Sequence, residues 1–335
     1  MNILVIRFSS LGDIILTTSF LNSIKTLYPK SNIYYATKKQ FSDIIKNQPY
    51  IDKVVELEEN ESVLHFSKKF NVRFDWTFDL HNNIRSRLLS LLINSKRTFR
   101  IKKHTLYRYQ LIHKKSFAVH FANKRKSKDN IEDMINLIPN IKNIKHLEEI
   151  KPILKIKKKE LNIPKTVIGV APGAKWATKM WPKEYFKELI NMVNQNLTAE
   201  FALFGSKDEV PIAKYIKSGY KNVMDFTGKL SVRETASIMQ NCSVIISNDS
   251  ALMHMADALD IPILAIFGPT VKEFGFYPRG KSIILEKNLP CRPCSPHGGN
   301  RCPIQTHICM KSIKPEEVLK SIKILLEVKE NQYEQ

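Results

Sequence analysis

Val244–Thr270 reads VIISNDSALMHMADALDIPILAIFGPT. It opens on an apolar run, Val244-Ile245-Ile246-Ser247, that suits a buried strand. An acidic loop follows, Asn248-Asp249-Ser250, and then a helix start that carries His254. A second apolar run, Ile263-Leu264-Ala265-Ile266-Phe267, leads straight into Gly268-Pro269-Thr270. Two parallel strands joined by one helix, with polar and glycine-containing loops at their carboxyl ends, form the place where open α/β sheets bind ligands. The loop at Asp249 also presents backbone N–H groups at a helix N-terminus, which suits a phosphate. The stretch reads as half of a nucleotide-sugar site.

The same alternation extends outward from this unit. Upstream, Thr166–Val170, Phe201–Phe204 and the Val244 run are strands, separated by helices over Lys183–Val193, Asp208–Ile216 and Val232–Gln240. The amino-terminal half repeats the pattern. Asn2–Ile6, Ile33–Ala36, Val54–Leu57 and Trp76–Leu80 are strands, with helices over Gly12–Leu27, Phe41–Lys46 and Ile84–Ile93. Short strands separated by helical periodicity predict parallel, doubly wound sheets. Lys151 to Lys165, lysine-rich and flanked by Pro152 and Pro164, reads as the linker. The expected organisation is an α/β chain of two Rossmann-like halves, 1–160 and 161–335, facing each other across a cleft. A helix over Pro315–Val328 closes the chain.

With 335 residues, 43% of them hydrophobic, the chain is long enough for two packed cores. It has no secretory leader and no uninterrupted apolar run long enough to span a bilayer, so a cytoplasmic location is expected. Its net charge of +21 is uneven. Residues 80–128 hold 14 Lys or Arg and no Asp or Glu. Such a run reads either as a solvated surface or as a face for polyanions: nucleic acid, phosphorylated glycolipid or an anionic bilayer. Neither half carries G-x-G-x-x-G or a Walker loop, which argues against a dinucleotide oxidoreductase or a P-loop ATPase.

Each candidate group sits where a strand ends. After the first strand comes Arg7-Phe8-Ser9-Ser10-Leu11-Gly12-Asp13. Asp13 is either a helix-capping acid or a base that takes a proton from an attacking hydroxyl. In Trp176-Ala177-Thr178-Lys179-Met180-Trp181-Pro182, Lys179 is either a surface lysine or a fixed cation for a diphosphate leaving group. Glu209, in Gly205-Ser206-Lys207-Asp208-Glu209, is either a first-turn helix acid or an acceptor of ribose hydroxyls. His254 is either a buried structural imidazole or a neutral donor near phosphate.

In that order and at those intervals, these stretches make the chain resemble the family 9 glycosyltransferases, the ADP-heptose:lipopolysaccharide heptosyltransferases. Asp79-Leu80-His81-Asn82-Asn83-Ile84-Arg85-Ser86 and Phe267-Gly268-Pro269-Thr270 carry the likeness too, which spans nearly the whole chain. The resemblance implies a GT-B fold, an ADP-heptose donor in the second half and an inner-core lipid A acceptor in the first. It also implies inversion at the anomeric carbon without a catalytic metal. Asp13 matches the family's base and Lys179 its phosphate-binding lysine. Ser10, Gly12, Thr178, Glu209, Asp249, Ser250, Ala251, Leu252 and His254 are the implied donor-binding positions. The chain departs from the pattern at Ala251, where Gly is usual, and at Met253, where a small polar residue is usual. An enzyme peripheral to the inner membrane, with no nucleic-acid partner, is expected.

Four of the five cysteines lie close together, as Cys291-x2-Cys294-x7-Cys302-x6-Cys309. They read as ligands of a structural zinc or iron, or else as four reduced thiols packing a loop. Two other functions stay open on the residues: a GT-B enzyme using a different nucleotide sugar (another transferase or an epimerase), and a nucleic-acid-binding protein that uses the basic half.

Overall fold

A computed structural model describes residues 1–113, 129–141, 149–163 and 166–330 of the chain. The chain divides into two compact units. The first comprises Met1–His104 and Lys128–Ile156, the second Thr105–Ser127 and Lys157–Gln335. The helix Thr105–His113 therefore belongs with the second unit, although it lies in the first half of the sequence.

The first unit holds a five-stranded parallel sheet. Its strands are β1 (Asn2–Ile6), β2 (Asn32–Lys38), β3 (Lys53–Leu57), β4 (Phe74–Asp79) and β5 (Ser95–Arg100), in the spatial order β3-β2-β1-β4-β5. The central β1 is buried at four of its five residues, because helices cover both faces of a parallel sheet. The helix Leu11–Leu27 packs almost all round: Ile14, Ile15, Phe20, Leu21 and Ile24 are buried, and so are Thr17, Thr18, Ser19 and Ser23. Those hydroxyls are affordable inside because each donates to a carbonyl one turn back, at 2.6–2.9 Å.

The second unit holds a six-stranded parallel sheet. Its strands are β6 (Thr166–Ala171), β7 (Ala199–Leu203), β8 (Val223–Asp225), β9 (Val244–Asn248), β10 (Ile263–Ile266) and β11 (Ser282–Leu285), in the order β11-β10-β9-β6-β7-β8. The opening stretch is there as expected: β9 pairs with β10 in parallel, Ile245 opposite Ile263, with the helix Ala251–Ala258 between them. Gly169 is required inside β6, since a Cβ there would stand 2.2 Å from Ile245 Cδ1. Trp181 is fully buried against Phe186, and its indole N–H donates to the Ile313 carbonyl at 2.8 Å.

Both sheets reverse their strand order once. In the first, the chain steps from β1 to β2 and β3 on one side, then to β4 and β5 on the other. In the second, the step falls between β6 and β9. At each reversal two neighbouring loops diverge at the carboxyl ends of the strands and leave a crevice. The loops after β1 and β4 flank one crevice, and the loops after β6 and β9 flank the other.

Trp181→Ala should destabilise the second unit by about 3–5 kcal/mol, the range for emptying a buried aromatic position. Urea unfolding followed by far-UV circular dichroism checks this, and an unchanged midpoint would remove Trp181 from the core.

Candidate functional site

At the first crevice the organising group is Arg7, the residue after β1. Its Nε donates to the Ser9 carbonyl at 2.8 Å and its Nη1 to the Leu80 carbonyl at 2.5 Å. Its Nη2 stands 2.7 Å from Asp13 Oδ1. One guanidinium thus ties the loops after β1 and β4 to the first turn of Leu11–Leu27. Asp13 Oδ2 accepts from the Ser10 hydroxyl at 2.6 Å and the Ser10 N–H at 3.1 Å, which closes a capping box. Burial pushes the Asp13 carboxyl up, but Arg7 and the two Ser10 hydrogen bonds outweigh it and hold it at about 2. Asp13 is therefore a capping acid in geometry and a permanently ionised carboxylate in chemistry. Its side chain keeps 28% exposure, enough to meet a substrate hydroxyl.

The loop after β4 is organised by Asp79, which is wholly buried. It accepts the N–H groups of His81 and Asn82 at 3.1 and 2.7 Å and the Ser86 hydroxyl at 3.0 Å. This sets His81 in the crevice. Burial, then Arg7 and Lys103, push the His81 imidazole down to about 4, so it is neutral at physiological pH. Its Nδ1 is buried and has no hydrogen-bond partner among the described residues. Partial burial and the Arg7 charge also lower the Lys103 ammonium, with Asp79 and Asp13 opposing and Arg87 adding to the shift. The crevice therefore holds a carboxylate, a neutral imidazole and the cations Arg7, Lys103 and Arg87.

At the second crevice the loops after β6 and β9 meet. Lys179 ends the short helical turn Ala177–Lys179, and its Nζ reaches Asp249 Oδ2 at 2.6 Å. The pair is largely buried, at 12% and 6% side-chain exposure. Thr270 donates its hydroxyl to the same Oδ2 at 2.6 Å. Asn248 locks the two loops: its amide nitrogen donates to the Pro172 carbonyl at 2.8 Å, and its oxygen accepts the Trp181 N–H at 3.0 Å. Ser250 begins the helix Ala251–Ala258, yet its side chain makes no cap; its hydroxyl lies 3.2 Å from Ser247 Oγ. The first-turn N–H groups, with the Lys179 ammonium held on Asp249 two residues before the helix, form an anion-binding arrangement.

The other expected residues fall in different settings. Glu209 caps Ser206 through Oε2 at 2.5 Å, while Oε1 lies against Gly173. A Cβ on Gly173 would come within 1.7 Å of that oxygen, so Gly173 is what admits Glu209 to the β6 loop. His254 is buried on Ala251–Ala258, its ring 6.3 Å from Phe276. Met253 is fully buried, so the departure there is a matter of packing. Gly12 is buried beneath the Asp13 turn.

The cysteine loop is stitched onto this site. Thr178 exchanges hydrogen bonds with Gly299, donating its N–H at 3.0 Å and accepting at its hydroxyl at 2.8 Å. His307 Nε2 lies 2.9 Å from the Thr178 carbonyl. Arg292 donates to the Thr270 carbonyl at 2.8 Å, to Glu286 at 2.6 Å and to the Gly268 carbonyl. None of the five cysteines is in a disulfide. The closed metal site expected at Cys291, Cys294, Cys302 and Cys309 is not assembled: among the described residues no group of three His, Cys, Asp or Glu side chains is arranged to hold a metal ion. Burial, and then the nearby Cys294, Cys291 and Cys302 sulfurs, push the Cys309 thiol up to about 11, with Arg292 opposing. Backbone N–H groups of His307, Ile304 and Thr306 outweigh the burial of Cys302 and lower its pKa.

Residues 63–301 match the family described as Glycosyltransferase family 9 (heptosyltransferase). Among known proteins, lipooligosaccharide heptosyltransferase 2 of Haemophilus influenzae is 23% identical over 296 residues, spanning 82% of this chain and 85% of that one. Among solved structures, the ADP-heptose LPS heptosyltransferase II of E. coli superposes with a TM-score of 0.75 at 20% identity, covering 98% of this chain and 100% of that one. The dodecameric iron-containing heptosyltransferase TibC, solved with ADP-D-beta-D-heptose, superposes at 0.61 and 14% identity, covering 98% and 76%. These likenesses give the fold as GT-B, two α/β units with parallel sheets.

The buried pair generates a thermodynamic prediction. Lys179→Met should cost about 3–5 kcal/mol, because it strands the Asp249 carboxylate in the interior. Adding Asp249→Asn should recover much of that loss. Chemical denaturation of both singles and the double checks this, and strictly additive effects would show that the two charges do not depend on each other.

Proposed function

The chain belongs to glycosyltransferase family 9, and we propose that it moves heptose from ADP-heptose to the lipopolysaccharide inner core, with inversion and without a catalytic metal. The observation that carries the reading is the Lys179 ammonium held beside the uncapped first turn of Ala251–Ala258. A metal-independent transferase must stabilise the departing diphosphate with fixed protein charge. Lys179, the N–H groups at Ala251 and Leu252 and the hydroxyl of Ser250 are the groups for it. On phosphate binding, the ammonium is shared between Asp249 and the incoming oxygens. Asp249 thus sets where the cation waits and is itself no phosphate ligand. Glu209 Oε1, admitted by Gly173, is the acceptor for ribose hydroxyls.

In the first unit Asp13 is the base. A carboxylate at about 2 is weak at equilibrium, so the proton transfers late, as the sugar–oxygen bond forms and the hydroxyl becomes acidic. Its advantage is that it is never pre-empted by a solvent proton. Neutral His81 adds a hydrogen-bonding ring that does not repel Arg7, and Lys103 and Arg87 suit an acceptor that carries acidic groups. The nucleotide donor rather than a nucleic acid gives roles to both crevices. The iron-containing neighbour and the four-thiol donor set favour a structural iron or zinc that would draw Cys291, Cys294, Cys302 and Cys309 together on binding. There an ion would contribute folding energy to the loop that carries Arg292 and Gly299.

Two measurements test this. In a turnover assay with ADP-heptose and a truncated core acceptor, Asp13→Asn should lose about 10²–10⁴-fold in kcat while ADP affinity holds. In Arg7→Gln, burial is opposed only by the Ser10 hydrogen bonds, so the acid limb of the rate should move upward from about 2. Wild-type turnover in Asp13→Asn would end its role as base. Elemental analysis of the purified chain should find one iron or zinc per chain, lost in Cys302→Ser together with thermal stability. A metal-free chain indifferent to chelators would leave four packing thiols.

A further inference from the structure

The helix Ile84–Leu92 in the first unit has its polarity reversed. Its buried residues are Ser86, Leu89 and Ser90. Ser86 donates to buried Asp79 at 3.0 Å, and Ser90 accepts from Arg100 Nη2 at 2.9 Å. The outer face carries Ile84 at 88% exposure and Leu91 at 75%, with Leu88 and Leu92 also exposed. At a period of 3.6 residues these positions form one stripe. The helix Val63–Ser67 packs beside it and adds Leu64, exposed at 60%. Between the two helices runs an open groove of about 740 Å³, lined by Val63, Ile84 and Leu88 on its apolar side and by Asn82, Arg85 and Arg87 on its polar side.

Soluble proteins rarely leave so continuous an aliphatic surface to water. The charges around it say what covers it. Arg85, Arg87 and Lys68 are exposed at the rim, and neither helix contains an acid. The nearest carboxylate upstream, Glu61, is turned in on Lys69 at 2.9 Å. Residues 80–104, which belong to the same unit, carry seven cations and no acid. A second copy of a chain with net charge +21 would set like charge against like. An anionic bilayer offers both things the face lacks: an apolar interior for the leucines and phosphates for the arginines.

We propose that Ile84, Leu88, Leu91, Leu92 and Leu64 form a membrane-docking face, seated in the acyl boundary of an anionic bilayer with Arg85, Arg87 and Lys68 at the headgroups. This deepens the reading that the acceptor is a membrane glycolipid and rests on it. Docking would hold the crevice at Asp13 near the bilayer surface, since Asp79 ties this helix directly to the loop that carries His81.

The test is co-sedimentation with vesicles of phosphatidylglycerol and phosphatidylethanolamine, against phosphatidylcholine alone. The parent should bind the anionic vesicles and be released by salt. Ile84→Glu/Leu91→Glu, which alters only exposed positions, should keep its circular dichroism and melting temperature and lose about tenfold or more in vesicle partition. It should also match the parent on an acyl-free soluble acceptor. Parent protein that ignores anionic vesicles, or a variant that binds them as well as the parent, would overturn the docking face. So would light scattering that finds a dimer broken by the variant, because the stripe would then be a protein interface. Vesicle binding that behaves as expected alongside no heptosyl transfer by the parent would leave docking standing and sink the heptosyltransferase reading instead.

Discussion

One buried carboxylate holds the second unit's site together. Asp249 takes Lys179 and Thr270 on the same oxygen. From there a closed circuit can be followed. Thr270 is held at its carbonyl by Arg292, Arg292 belongs to the cysteine loop, and that loop grips Thr178 through Gly299. Thr178 is the neighbour of Lys179. A buried ion pair is seldom a net source of stability, because both charges are desolvated. Its value here is placement: a flexible ammonium is fixed to one spot beside a helix N-terminus before any substrate arrives. The cysteine loop, far along the chain, becomes part of this crevice by that route.

The first unit solves a related problem with the opposite emphasis. Arg7 spends its guanidinium on two carbonyls and on Asp13, which fixes the carboxylate and lowers its basicity together. A better base would need a weaker clamp, and a weaker clamp would loosen the loop. The structure takes the clamp. The same cation helps keep His81 neutral, so the crevice carries one ionised acid and one uncharged ring. Linkage gives this a stability signature. The ionised Asp13 contributes fully above its ordinary 3.8, and that contribution fades as pH falls through about 2.

Much of this architecture could be read from the chain, for identifiable reasons. β1, β9 and β10 are buried on both faces and spell continuous apolar runs, so they stand out. Asp249 follows its strand directly, and Asp13, Lys179 and Glu209 lie in the first turns after theirs, the side of the sheet where α/β folds bind ligands. Other features left no local trace. β5 reads SKRTFR, which looks like surface, and β8 is only three residues long. Arg7 passed as the polar end of a strand, because its partner carbonyl at Leu80 lies 73 residues away. Arg292, in the cysteine loop, supports the Gly268–Thr270 turn 22 and 24 residues upstream. His81 lies within Asp79–Ser86, and the buried Asp79 sets it in the crevice. Arg7 and Arg292 are placed by contacts between distant segments, and no periodicity records such contacts.

The position of β5 has a consequence of its own. Among the described residues it is the last strand of its sheet, so one row of its backbone donors and acceptors has no neighbouring strand there. An open rim of that kind invites a stray strand from another molecule, the first step towards amyloid-like stacking. Lys96, Arg97 and Arg100 all sit exposed along it. Any approaching copy brings the same three cations, and the repulsion keeps the rim single. Charge that elsewhere gathers ligands here acts as a guard against self-assembly, which lets a strongly basic sheet end in water.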